Sequence, residues 1–153
     1  MKYFLLIFSI LSFSQQFKNV NFISAEANLV INEKNKSVFG SVDYDFIVVS
    51  PIDTVRIDAK SMTFTSVFIN QKKVQFKNSG KQLHLFTGFK KGLNKLHVVY
   101  EAVPKQTLYF LGSKAADNLQ IWTQGQGKYT SNWLPSFDDV NEKLIFKINV
   151  TFD

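Results

Sequence analysis

Apolar and polar residues alternate with a period of two along most of this chain, and this pattern limits the fold more than any other feature. In the stretch SVFGSVDYDFIVV, residues 37–49, every second residue from Val38 to Val48 is aliphatic, aromatic or glycine, and Asp43 and Asp45 lie between them. Successive side chains of a strand point to opposite faces of a sheet, so this spacing is typical of a strand with one buried face. Short turns rich in Gly, Asn and Lys separate such runs. The pattern predicts an all-β fold, an antiparallel β-sandwich or saddle.

Two of these runs carry more specific expectations. The run SVFINQKKVQFK, residues 66–77, predicts a hairpin with Val67 and Ile69 before a polar turn and Val74 and Phe76 after it. The last run, KLIFKINVTF, covers residues 143–152, and we expect five of its side chains to point into the core: Leu144, Phe146, Ile148, Val150 and Phe152.

The first fourteen residues, MKYFLLIFSILSFS, differ from the rest of the chain. Lys2 precedes an apolar run, and Ser12 and Ser14 offer a cleavage site before Gln15. This is the layout of a secretory signal peptide, and the run is shorter than the roughly 20 residues that span a bilayer. We expect a signal peptide at residues 1–14, a single β-domain after it, no transmembrane segment, and a secreted or periplasmic location. The chain contains no cysteine, so packing must stabilise the exported domain without disulfides.

The net charge is +6, and the basic residues are unevenly distributed. Residues 59–100 include no Asp or Glu and eight lysines: Lys60, Lys72, Lys73, Lys77, Lys81, Lys90, Lys91 and Lys95. Such a region can attract nucleic acid or another anionic polymer. These lysines fall in turns or at alternate strand positions, without arginine or a repeated aromatic partner, which favours a solvated β surface protected by lysines. An exported protein also meets little nucleic acid, so we expect no nucleic-acid partner.

Residue types that support catalysis are not combined in a recognisable pattern. The two histidines, His84 and His97, lack the His-Glu-x-x-His spacing that places two zinc ligands on one helical face. Asp138 and Asp139 are adjacent, so on an extended backbone they point to opposite sides and cannot act together on one substrate atom. The glycines form no phosphate-binding loop, and the serines lack a nucleophile elbow. We expect neither a catalytic residue nor a metal ligand in this chain.

The segment IWTQGQGKYTSNWLPSFDD, residues 121–139, interrupts the alternation. It contains TQGQ at residues 123–126 and PSFD at residues 135–138, followed by the last run. Together these elements resemble the N-terminal domain of the zinc gluzincin aminopeptidases, the superfamily of aminopeptidase N and leukotriene hydrolase. A weaker likeness extends back through LYFLG, DTVRIDAKSMTF and NKSVFGSVDYDF. Ser136 stands where many members have cysteine and Val140 where many have proline.

The resemblance implies a role for this segment. In the family, the β-domain packs against a thermolysin-like catalytic domain, and one of its loops reaches the active site, where a Glu or Gln helps to bind the free α-amino group of the peptide. The matching residue is Gln126; Gln124 is the second candidate, or could orient the loop, and Gly125 would let the backbone approach the ligand. Packed support beneath the loop is expected from three residues: Trp133, Pro135 and Phe137.

The family's zinc ligands lie downstream of this domain, so the resemblance implies that zinc is bound by a catalytic domain absent from this chain. It also implies that the β-domain at residues 15–153 is incomplete at its C-terminal end, as in a gene fragment, and that the isolated chain is inactive. Three hypotheses follow: a substrate-anchoring domain of a secreted zinc metalloaminopeptidase, a non-enzymatic extracytoplasmic β-sandwich binding module, or a module that binds anionic polymers through its lysines.

Overall fold

The computed structural model of the chain describes residues 16–126 and 128–152. The signal peptide expected at residues 1–14 lies outside the described residues. Within those two ranges, no helix is long and apolar enough to cross a membrane.

The regular secondary structure of the described residues is almost entirely β-strand. Three short 3-10 helices lie at Gln16–Lys18, Lys114–Ala116 and Thr130–Asn132. The strands are β1 (Val20–Asn32), β2 (Ser37–Val48), β3 (Val55–Asp58), β4 (Met62–Ile69), β5 (Lys72–Lys73), β6 (Phe76–Asn78), β7 (Gln82–Leu85), β8 (Gly92–Ala102), β9 (Leu108–Leu111), β10 (Gln120–Thr123) and β11 (Ile145–Phe152). The all-β prediction is therefore confirmed.

The strands form three sheets. A six-stranded sheet has the order β11-β1-β2-β8-β4-β5, a three-stranded sheet the order β3-β7-β6, and β9 and β10 form a two-stranded hairpin. The strand pairings are antiparallel except for that of β1 with β11, which is parallel. The predicted antiparallel architecture is confirmed, with one parallel pair at the edge of the large sheet.

One hydrophobic cluster joins the large sheet to the three-stranded sheet. The alternate positions predicted for β2 supply Val42, Tyr44 and Phe46, all buried. The three-stranded sheet supplies the facing aliphatic residues Val55, Ile57, Leu83 and Leu85. At Gly40, within β2, an added Cβ would lie 2.7 Å from Leu29 Cδ2 and 2.9 Å from Tyr100 Cε1. Glycine at this position lets two large side chains meet over the strand.

The side chains of the last run lie on the expected side of the sheet, but the prediction that they enter the core is wrong for most of its length. Leu144 packs against the core, but four apolar side chains of β11 are between 41% and 64% exposed: Phe146, Ile148, Val150 and Phe152. The parallel register pairs Ala25 with Phe146 and Ala27 with Ile148, so these side chains share the core-facing side of the sheet. They are exposed because β11 is the edge strand of the large sheet, beyond the part that the second layer covers.

The hairpin expected in residues 66–77 forms only in part. β4 and β5 pair around Asn70 and Gln71, both in the left-handed conformation with φ of 51° and 68°. Phe76, however, begins β6, which pairs with β7 in the three-stranded sheet. The chain therefore passes from one layer to the other after a very short return strand.

Candidate functional site

The segment 124–138, of which the structure describes all residues but 127, is a loop with one 3-10 turn; it follows β10 and contacts Thr107 at two points. The Gln124 amide donates to the Thr107 carbonyl at 2.9 Å, and Thr107 Oγ1 donates to the Tyr129 carbonyl at 3.0 Å. Thr107 is buried and has a φ of 71°, a left-handed conformation that is uncommon for a β-branched residue. Thr107 thus holds the start of the loop through two hydrogen bonds, one to its carbonyl and one from its hydroxyl.

Lys60, in the turn after β3, makes hydrogen bonds to both the middle and the end of the loop. Its amide donates to the Ser131 carbonyl at 2.7 Å, and its Nζ donates to Asp138 Oδ2 at 2.6 Å and to the Lys128 carbonyl at 3.0 Å. Ser131 Oγ donates to the same carboxylate oxygen at 2.9 Å. One ammonium therefore joins two points of the loop that are ten residues apart in sequence, Lys128 and Asp138.

A second attachment fixes the PSFD motif to β3. Asp58 and Ser136 exchange two backbone hydrogen bonds of 2.9 Å, as in an antiparallel bridge. The Asp138 amide donates to Asp58 Oδ2 at 2.8 Å, and Gln82 Nε2 donates to Asp58 Oδ1 at 2.7 Å. Asp58 thus binds the motif through both its backbone and its side chain.

Beneath the loop, residues 131–136 are buried and held by tyrosines of the large sheet. The Tyr44 hydroxyl donates to the Pro135 carbonyl at 2.5 Å, and the Tyr100 hydroxyl donates to the Trp133 carbonyl at 2.9 Å. Burial raises the pKa of both hydroxyls, which therefore remain protonated donors. The Phe137 ring lies 4.4 Å from that of Phe22. The packed support expected from the sequence is confirmed.

The residues expected to bind substrate lie at the exposed start of the loop. Gln124, Gly125 and Gln126 are all exposed, and neither amide side chain makes a hydrogen bond to another described residue. A Cβ added at Gly125 would lie 2.7 Å from Thr130 Oγ1, so glycine allows the two limbs of the loop to approach closely. Within the part of the chain that the structure describes, both side-chain amides are therefore exposed and without a hydrogen-bond partner.

No group of three or more His, Cys, Asp or Glu side chains in the described ranges is arranged to hold a metal ion. His97 Nδ1 lies 2.7 Å from Asp43 Oδ1 on the solvent side of the large sheet. His84 lies on the three-stranded sheet, where burial, followed by the charges of Arg56 and Lys77, lowers its pKa. The two histidines therefore belong to separate parts of the molecule and form no joint site.

Sequence reasoning missed Lys60 and Asp58, two of the residues that hold the loop. Both belong to the stretch that reads as an ordinary alternating strand and turn, far from the motif in sequence. The sequence marks them only as an aspartate and a lysine next to the end of a short apolar strand. That signal is common on solvated surfaces.

Comparisons with known proteins agree with this architecture. A family model described as the peptidase M1 N-terminal domain matches residues 22–153. The structure of yeast LTA4 hydrolase in complex with bestatin superimposes with a TM-score of 0.79 at 18% identity, covering 94% of this chain and 25% of that one. The M1 zinc metallopeptidase from Deinococcus radiodurans superimposes with a TM-score of 0.75 at 12% identity, covering 88% of this chain and 32% of that one. No curated protein matches the sequence. The chain therefore spans between a quarter and a third of the length of these two solved structures.

Proposed function

This chain belongs to the peptidase M1 family, of which it carries the N-terminal domain, and we propose that the domain anchors the amino terminus of a peptide in a secreted zinc metalloaminopeptidase. The single observation that carries the proposal is that the side-chain amides of Gln124 and Gln126 are exposed and make no hydrogen bond to another described residue, on a loop that is fixed from below. A peptide ammonium needs hydrogen-bond acceptors held in a defined place, and an amide oxygen is such an acceptor.

Gln126 is the primary anchor and Gln124 the second candidate. A binding group must be held close to its productive geometry by its surroundings, and an irregular loop achieves this only when its backbone is fixed. Lys60, Asp58 and Thr107 supply that fixation through side chains and backbone. Among the described residues, the side-chain amides of Gln124 and Gln126 take no part in it, which leaves them available to a ligand.

The described residues do not fit a zinc site, since they lack a suitable group of ligating side chains. We therefore assign zinc to a catalytic domain that acts as partner to this one. The exposed apolar side chains of β11 support the presence of such a partner, because adjacent large apolar side chains left exposed are typical of a contact surface. Secretion rests on the leader-like sequence of residues 1–14.

The test requires a full-length enzyme that carries this domain. Gln126→Ala should lower kcat/KM for peptides by about ten- to a hundredfold, since leaving a buried charged donor without its acceptor costs roughly 1–3 kcal/mol. Gln126→Glu should retain more activity than Gln126→Ala, because a carboxylate pairs with an ammonium. Gln75, exposed on the connection between β5 and β6, provides a matched control, and Gln75→Ala should leave kcat/KM unchanged.

The outcomes separate the possibilities. A loss with Gln124→Ala but not with Gln126→Ala would move the anchor to Gln124. If neither substitution changes kcat/KM, the anchoring role is wrong and the segment is a structural loop, which leaves the non-enzymatic binding module as the better hypothesis.

A further inference from the structure

Two loops meet at one end of the large sheet and form a single surface. The β4–β5 turn contains Asn70, whose Nδ2 donates to the Gly88 carbonyl in the β7–β8 loop at 3.2 Å and to Asn94 Oδ1 at 3.0 Å. A Cβ added at Gly88, which has a φ of 90°, would lie 2.6 Å from Val74 Cγ1 and 3.2 Å from Ile69 Cβ. The β7–β8 loop therefore packs directly on the β4–β5 hairpin.

The β7–β8 loop is also held from within. Asn94 is buried, and its Oδ1 accepts from the Lys90 amide at 2.9 Å. Its Nδ2 donates to the carbonyls of Lys90 at 2.7 Å and of Gly92 at 2.8 Å. One buried side chain thus fixes the backbone that carries Lys90 and Lys91. This backbone is already ordered, so a partner that binds there does not have to order it.

The exposed side chains at this end are basic and apolar. Four exposed lysines make no ion pair with another described residue: Lys72, Lys73, Lys90 and Lys91. Phe86 follows β7, and Leu93 comes two residues after Lys91 at the start of β8; they are 46% and 54% exposed. We call these six residues the lysine-rich end. It lies within the region 59–100 that has no acidic residue at all.

We propose that the lysine-rich end docks the domain on the surface of a bilayer that contains anionic phospholipids. Clustered lysines are attracted to such a surface, and each one near it contributes about a fivefold increase in affinity. Exposed apolar side chains beside the lysines can enter the boundary between headgroups and acyl chains, while the lysine stems lie along it.

Charge and composition favour a bilayer over nucleic acid. Binding of single-stranded nucleic acid uses aromatic stacking and arginine, whereas the one arginine of the chain, Arg56, lies on β3 and not at this end. An exposed Leu93, close in sequence to two lysines that make no ion pair with another described residue, matches a lipid boundary better than a base. The inference does not depend on the anchoring role of Gln126, because the two sites share no residue.

The test is sedimentation of the full chain with vesicles of phosphatidylcholine alone or mixed with phosphatidylglycerol. We expect binding to the mixed vesicles only, with loss of binding when salt is raised from about 0.1 M to about 1 M. Replacing Lys72, Lys73, Lys90 and Lys91 by glutamine should lower affinity by roughly 100-fold or more. At about 0.1 M salt, Phe86→Ser with Leu93→Ser should also lower the affinity for the mixed vesicles, because the apolar contact with the bilayer is removed while the lysines remain.

A control variant removes the same charge elsewhere, at exposed Lys34, Lys36, Lys105 and Lys143. All variants keep the same N-terminal residues, so any contribution of residues 1–14 cancels, and urea unfolding confirms that each is folded. A control variant that loses as much affinity as the lysine-rich-end variant would overturn the proposal, because binding would then follow net charge. Equal dependence on these lysines in binding single-stranded RNA, without binding to vesicles, would overturn it in favour of nucleic acid.

Discussion

Lys60 is the residue whose replacement tests most directly how the loop is held. Lys60→Met keeps most of the aliphatic length of the side chain and removes only the ammonium. The change breaks the hydrogen bonds from Nζ to Asp138 Oδ2 at 2.6 Å and to the Lys128 carbonyl at 3.0 Å, but leaves the backbone bond to Ser131 intact. The substitution therefore separates the contribution of the ammonium to stability from that of the Lys60 backbone hydrogen bond.

The structure sets the expected magnitude. Hydrogen bonds that involve a charged group contribute about 1.5–3 kcal/mol each when well shielded. The Lys60 side chain is 32% exposed and Asp138 only 16%, so solvent weakens the pair in part, and the Ser131 hydroxyl still serves the carboxylate. We expect Lys60→Met to lower the free energy of unfolding by about 1.5–2.5 kcal/mol.

Urea unfolding followed by tryptophan fluorescence measures this value, and the chain supplies its own control. Lys95 pairs with Asp45 at 3.0 Å, but these side chains are 72% and 38% exposed. Lys95→Met should therefore cost below about 0.5 kcal/mol. A double-mutant cycle with Asp138→Asn should give a coupling of about 1 kcal/mol or more. If Lys60→Met lowers the free energy of unfolding no more than Lys95→Met does, the hydrogen bonds of the Lys60 ammonium do not stabilise the loop, and the reasoning is wrong.

Four further outcomes are expected. Trp133→Ala should lower the free energy of unfolding by about 3–5 kcal/mol, since it removes a buried indole beneath the loop; an unchanged urea midpoint would contradict this. Gly125→Ala should cost about 1–3 kcal/mol through its clash with Thr130 Oγ1, and Thr130→Ala in the same chain should restore most of it. Burial raises the folded-state pKa of Tyr44 and Tyr100, so their contribution to stability is complete below a pH of about 10 and falls as the pH rises further; Tyr44→Phe should reduce that fall in alkaline unfolding curves. The purified chain should hydrolyse no aminoacyl p-nitroanilide with or without zinc, and zinc-dependent turnover that survives removal of contaminating peptidases would disprove this.

The local pattern was enough to predict most strands but not how every strand is paired. Alternation identifies β2 because both of its faces have fixed partners, the core on one side and solvent on the other. β11 has the same alternation, yet Phe146 and Ile148 are exposed, since their environment depends on what covers the edge of the sheet. The parallel pairing of β11 with β1 was not predictable for the same reason. The pairing depends on which exposed sheet edge β11 joins, and the strands at such edges are far from β11 in sequence.

The candidate site shows the same division. The glutamines and the PSFD motif could be found from the sequence because they resemble a family. The contact that fixes the motif could not be found from the sequence. Its two residues, Lys60 and Asp138, are 78 positions apart, and the residues next to them in sequence do not indicate that they pair. The Asp138 carboxylate accepts from the side chains of Lys60 and Ser131. Long-range ion pairs of this kind leave no periodic signal.

The attachments of the loop explain why its exposed and buried parts should respond differently to change. The hydroxyls that hold Pro135 and Trp133 come from Tyr44 on β2 and Tyr100 on β8, which are the central strands of the large sheet. Packing of that sheet and the position of the loop are therefore coupled through buried hydrogen bonds, whose loss leaves a buried acceptor unsatisfied. Gln126 takes no part in these bonds. Because of this separation, the exposed amides can change to suit a ligand without a change in the fold, whereas substitutions beneath the loop must alter stability and loop position together.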